Sequence, residues 1–176
     1  PIEDFFVQKK YISQTIGGKI KKHTRKEGLP DLSGVQVAIF SLSNSENILK
    51  NSFRDAFYSL YYGNWDIVLA DLGNIPEGTT QEETFVAIRE VTAHLLKQGI
   101  IPILLAEGVE NTYALYRSFD TMEQMVNLAC VNALFGFSDE YEIFAEDSYM
   151  SRILMETPTQ LNHFTNIGYQ TYYNPQ

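Results

Sequence analysis

Short apolar runs rich in β-branched residues alternate along this chain with longer stretches whose apolar residues recur at intervals near 3.6. The first kind suits a strand with neighbours on both faces, the second a helix with one buried side. Residues 35–42 (VQVAIFSL), 65–72 (WDIVLADL), 100–106 (IIPILLA) and 127–134 (NLACVNAL) read as strands, and 164–173 (FTNIGYQTYY) as a last one. Between them, 46–62 sets Ile48, Leu49, Phe53, Ala56, Phe57 and Leu60 on one helical face, ended by Gly63 and Asn64. Thr80 and Glu83 form a capping box that opens a long helix, whose inner face is Phe85, Ile88, Val91, Ala93, Leu95 and Leu96 and which Gly99 closes. Further helices are expected over 109–121 and 149–155. Such alternation, with crossovers long enough to hold a helix, predicts an α/β protein: a three-layer α/β/α arrangement on a mainly parallel sheet of about five strands.

Before the first strand the chain differs in character. Residues 4–27 mix Phe5, Phe6, Tyr11, Ile12, Ile16 and Ile20 with lysines, which suits a helix with an apolar stripe and a solvated Lys-rich face, although Gly17 and Gly18 weaken it. Gly28, Pro30, Asp31, Ser33 and Gly34 then mark a linker. The division expected is a basic arm and linker over 1–34 and an α/β domain over 35–176. Charge follows the same boundary. The first 27 residues hold seven basic and three acidic side chains; the rest hold six and nineteen, for a formal total of −9. An acidic body disfavours nucleic acid and anionic membranes as partners. Cys130 is the single cysteine, so no intrachain disulfide or zinc ribbon is available, and a reducing cytoplasm is the expected compartment. No apolar run approaches the roughly 20 residues of a membrane span, and none of signal-peptide length precedes the lysines.

In an open α/β sheet ligands bind beyond the carboxyl ends of the strands, so chemistry is sought at a few turns. Asp71, Gly73 and Asn74 follow the second strand; Glu107 and Glu110 follow the third; Asn132, Leu134 and Gly136 close the fourth. Glu107 and Glu110 could serve as paired carboxylates or hard-metal ligands, or simply complement the dipole of the helix they precede. His23, His94 and His163 sit on three segments with no metal-type spacing. Ser41 and Ser43 lack a Gly-x-Ser-x-Gly elbow, and neither a P-loop nor a Gly-x-Gly-x-x-Gly is present. Tyr169, Tyr172 and Tyr173 could offer a stacking or partner surface, or pack within a strand.

The order of these segments resembles a known family. Phe53-Arg54-Asp55-Ala56-Phe57-Tyr58-Ser59-Leu60, the strand ending Asp71-Leu72-Gly73-Asn74-Ile75, the capped helix and Gly99-Ile100-Ile101-Pro102-Ile103-Leu104-Leu105 are similar to segments of the arginase/agmatinase/formimidoylglutamase (ureohydrolase) family. Asn166-Ile167-Gly168-Tyr169-Gln170-Thr171-Tyr172-Tyr173 is similar to divergent, formimidoylglutamase-like members of Bacteroides-type bacteria. The resemblance implies a three-layer fold and, in active members, hydrolysis of guanidino or formimino C–N bonds by a manganese pair that lowers the pKa of a bridging water. It also implies where the ligands would stand. The Gly-Gly-Asp-His motif aligns with Ala106-Glu107-Gly108-Val109, and Asp-Ala-His-x-Asp with Asn132-Ala133-Leu134-Phe135-Gly136. Val109, Asn132, Leu134 and Gly136 therefore stand at degenerate ligand positions, and a third, Ser-x-Asp-x-Asp, motif is not found.

These departures imply an arginase-like domain, incomplete relative to the family, that has lost its dimanganese ligands and acts as a non-catalytic binding or assembly module, with no metal or other cofactor. An open sheet edge would favour a homo-oligomer, and a small-molecule ligand is possible. The competing expectation is a metal-dependent hydrolase of linear amidines, either with a divergent site drawn from Glu107, Glu110, Asn132 and Asp71 or with one completed by residues beyond this chain.

Overall fold

The computed structural model describes residues 10–43, 48–138 and 148–174. The chain divides into two units, Pro1–Thr80 with His94–Ala106, and Gln81–Ala93 with Glu107–Gln176. In the first, a four-stranded sheet runs in the order β1 (Lys21–Lys22), β3 (Leu69–Pro76), β2 (Val37–Ser43), β4 (Ile101–Leu105), parallel throughout. Parallel neighbours need long crossovers. Helix α2 (Ile48–Ser59) supplies the one between β2 and β3, and α3 (Gln81–Lys97) the one between β3 and β4. Ile20, Ile39 and Tyr58 form the buried centre, with Tyr11, Ile16, Phe57, Leu69 and Leu105 packed around them.

The second unit holds a parallel pair, β5 (Val126–Val131) and β6 (Leu161–Ile167), with helices α4 (Asn111–Arg117) and α5 (Tyr149–Met155) and a 3-10 turn over Ser118–Met122. Tyr116, Tyr149, Met150 and Ile153 are its core, and Val126, Leu128, Cys130, Leu161 and Phe164 pack against them. Asn127 pairs with His163, Ala129 with Thr165 and Val131 with Ile167, and all six side chains are exposed. One face of this parallel pair is thus packed and the other bare. No helix among the described residues is long and apolar enough to cross a membrane.

The five expected strands are all present, with shifted bounds. The second runs over Leu69–Pro76, so Gly73, Asn74 and Pro76 lie within it rather than in a turn. They fit because the β2–β3 register slips between Ile39 and Ser41, letting β3 carry an extra residue. The last strand starts at Leu161 and stops before Gly168, leaving Thr171–Tyr173 as a 3-10 turn in which Tyr172 is fully exposed.

Two further expectations need correction. The amino-terminal helix is, among the described residues, only α1 (Ile16–Lys19), because the next residues enter the sheet: Lys21 pairs with Ala70 and Lys22 with Asp71. Lys10, Lys19, Arg25 and Lys26 are solvated as expected, but not along one helix. Lys22 is half-buried, its ammonium donating to the Gly17 carbonyl and lying 5.0 Å from the centre of the Tyr58 ring. Phe5, Phe6 and Glu46 lie outside the described residues.

Over residues 53–60 the fully buried residues are Arg54 and Tyr58; of the expected apolar face Phe57 packs against the core, while Phe53, Ala56 and Leu60 are exposed. Arg54 and Tyr58 both meet a buried carboxylate within β3, Asp71. By contrast, Phe85, Ile88, Ala93 and Leu95 of α3 are buried as its periodicity requires.

Candidate functional site

Asp71 lies on β3, next to the register slip, with no exposed surface. A buried carboxylate is costly unless its oxygens are paired. Arg54 donates from Nε to Oδ2 at 2.8 Å and from Nη2 to Oδ1 at 3.1 Å, a two-pronged pairing that its planar guanidinium suits. The Tyr58 hydroxyl donates to Oδ2 at 2.8 Å and the Gly73 amide to Oδ1 at 2.9 Å. Arg54 also donates from Nη1 to Asn74 Oδ1 at 2.7 Å, an oxygen that Ser41 Oγ reaches at 2.6 Å, and from Nη2 to the Gly73 carbonyl at 3.1 Å.

The whole assembly knits α2 to β2 and β3. Burial, the neighbouring Asp71 charge and their hydrogen bond raise the Tyr58 phenol well above its ordinary value. Burial also lowers the Lys22 ammonium, against an opposing pull from Asp71. With four donors on its two oxygens, Asp71 acts as a structural anchor.

The remaining candidates belong to the second unit. Glu107 is exposed, and its carbonyl accepts from Asn111 Nδ2 at 2.8 Å. Glu110, the residue before α4, turns its carboxylate back over Gly108, where an added Cβ would meet Oε1 at 2.2 Å; Asn111 Nδ2 lies 3.5 Å from that oxygen. Val109 packs against the Tyr116–Tyr149–Met150–Ile153 core. After β5, Asn132 Oδ1 accepts from the Leu134 amide at 3.2 Å, closing a local turn, and the Leu134 carbonyl accepts from Asn166 Nδ2 at 2.8 Å. Gly136 has φ +73°, and a Cβ there would lie 2.2 Å from the Tyr149 ring.

These turns are therefore filled by packing and backbone closure. Val109, Leu134 and Gly136 bring no donor atom, and Asn132 brings a neutral one already engaged, so they do not fit a pair of hard divalent cations. Among the described residues no three His, Cys, Asp or Glu side chains gather where they could hold a metal ion. His23 lies beside β3, its ring Nδ1 3.0 Å from the Leu72 carbonyl, and His94 lies 2.8 Å from Gln98 Nε2. Ser41 belongs to the Arg54 network. The pairing of Arg54 with Asp71 escaped hydrophobic periodicity. The signal that could have found it is a basic residue and a hydroxyl-bearing aromatic one turn apart, followed by an apolar strand that carries an Asp.

The fold is similar to that of solved arginase-fold proteins. Its likeness to solved structures carries this conclusion: the formimidoylglutamase of Bacillus subtilis subsp. subtilis str. 168 superimposes with a TM-score of 0.73 over 97% of this chain at 14% identity. A Trypanosoma cruzi formiminoglutamase with Mn2+2 gives 0.70 over 92% at 14% identity, and the agmatine ureohydrolase of Thermoplasma volcanium 0.60 over 88% at 13%. This chain spans 57%, 59% and 62% of those three proteins respectively. No family model and no curated protein matches the chain. The fold agrees with the ureohydrolase resemblance of the sequence.

Proposed function

We propose that this chain is a ureohydrolase-like domain without dimanganese chemistry, serving as a binding or assembly module in the cytoplasm. One observation supports the reading above others: the turns where the resemblance sets the metal ligands hold Val109, Leu134 and Gly136, and each is occupied in packing or turn closure. A cation pair needs several anionic oxygens or imidazoles close together to offset its own repulsion. Metal analysis of the purified chain, followed by thermal unfolding with saturating manganese, tests this. No bound manganese and an unchanged melting temperature are expected, since a ligand that binds only the folded state stabilises it by mass action. A rise of several degrees would overturn the proposal in favour of a metal-dependent amidine hydrolase. The solved T. cruzi formiminoglutamase with Mn2+2 keeps that competitor in view.

The assembly role rests on the bare face of β5–β6. Parallel sheets are ordinarily covered on both sides. This face carries no Asp, Glu, Lys or Arg, although the chain as a whole bears −9. A second copy of the chain can approach there with the least repulsion, and we assign it as the occupant.

A further inference from the structure

Only six basic residues follow Glu27, and three of them, Arg89, Arg117 and Arg152, line one groove of the second unit. The groove encloses about 210 Å3 among α3, α4 and the end of α5. Its floor is apolar: Phe85 and Ala114 are buried, Val86 is half-exposed, and the Tyr113 ring lies 5.9 Å from that of Phe85.

The charges are not equivalent. Arg117 is committed to the fold, with Nε 2.5 Å from Asp120 Oδ2 and Nη1 paired with Glu156 Oε2. The other oxygen of Glu156 accepts from the Tyr113 hydroxyl, so this carboxylate is engaged on both sides. Arg152 lies over the Tyr113 ring, its Cζ 4.7 Å from the centre. Arg89 stands differently. Its contact is with its sequence neighbour Glu90 at 3.4 Å, and both side chains are exposed, a pairing of small worth. A guanidinium with five donors thus borders an apolar floor, and the three arginines of the lining outnumber its two carboxylates, the engaged Glu156 and the exposed Glu82, within a body whose charge is otherwise strongly negative.

We propose that this groove binds a small amphiphilic anion, whose carboxylate or phosphate is received by Arg89 and whose apolar body rests on Phe85, Val86 and Ala114. Arg suits both head groups because its planar fork matches two acceptor oxygens at once. The volume falls below the roughly 300–1,000 Å3 of sites for drug-sized molecules, which restricts the ligand to fragment size. The inference uses residues separate from the metal-ligand positions and is independent of whether manganese binds.

Calorimetric and NMR titrations of the whole chain with benzoate, phenyl phosphate, benzyl alcohol and benzamidine test it. Saturable millimolar binding of one or both anions is expected, perturbing amides of α3 and α4, with the neutral and cationic probes at least about tenfold weaker. The ratio of benzoate to phenyl phosphate affinity identifies the preferred head group. Arg89→Gln should weaken the anions about tenfold with an unchanged melting temperature, which a purely structural arginine cluster would not produce. Failure of both anions to saturate, equal binding of benzyl alcohol, or full affinity in Arg89→Gln would each overturn the proposal.

Discussion

Asp71 and Tyr58 show how a polar pair can be as much a part of a core as its apolar residues. The Tyr58 hydroxyl is one of four donors on the Asp71 carboxylate. Replacing it in Tyr58→Phe leaves a buried acceptor site unmet, at an expected cost of about 1–3 kcal/mol in urea unfolding at neutral pH. The variant should also change the alkaline limb. Burial and the adjacent Asp71 charge raise this phenol in the folded protein above its ordinary 10.0, so above about pH 10 the unfolded chain has released a proton that the folded chain keeps. Its contribution is full below that pH and is lost as pH rises beyond it. Tyr58→Phe should therefore make stability fall less steeply between pH 10 and 11, while Tyr11, Tyr113 and Tyr149, whose phenols burial also raises, retain part of the slope. An identical alkaline slope in the two proteins would contradict this assignment. Asp71 was legible in the sequence as a strand-end residue, but its partner was not. A hydrophobicity pattern scores Arg54 as a surface residue, and only a buried carboxylate opposite it reverses that.

Elements were legible where periodicity alone decides them and illegible where another segment decides. Helix α3 buries the face its spacing sets out, and α5 has the bounds the sequence indicates. The amino-terminal segment reads as a helix by pattern but gives two residues to the edge of a sheet, because β3 offers Ala70 and Asp71 as partners. The turn after β5 depends equally on its surroundings. Gly136 combines φ +73° with a close approach to the Tyr149 ring, and its carbonyl accepts from the Met150 amide at 2.9 Å, which ties the turn to the start of α5. Gly136→Ala should cost about 1–3 kcal/mol through strained backbone and ring displacement. Gly34→Ala, with a similar φ of +73° but nothing within 4 Å, should cost less. Equal unfolding midpoints for the two variants would show that the Tyr149 contact carries no weight.

For the molecule as a whole, the bare face of β5–β6 sets the expected state of association. Val131 is 82% exposed, an unusual setting for a β-branched residue on a parallel strand. Val131→Lys should shift the chain from dimer to monomer by light scattering, with an unchanged melting temperature at the dilution where the wild type is itself monomeric; a wild-type chain that stays monomeric at high concentration would remove the assembly role. The sequence by itself determined the parallel α/β class, because the period of apolar residues is a local property that no tertiary contact is needed to read. It also determined what the degenerate positions lack, since Val109, Leu134 and Gly136 side chains have no donor atom in any fold. Only the tertiary structure decided that Arg54 and Tyr58 turn inward onto Asp71, and that Arg89, Arg117 and Arg152 come from three helices to one groove. Both depend on the path that brings distant residues together, and that path is fixed by the packing of all the elements at once.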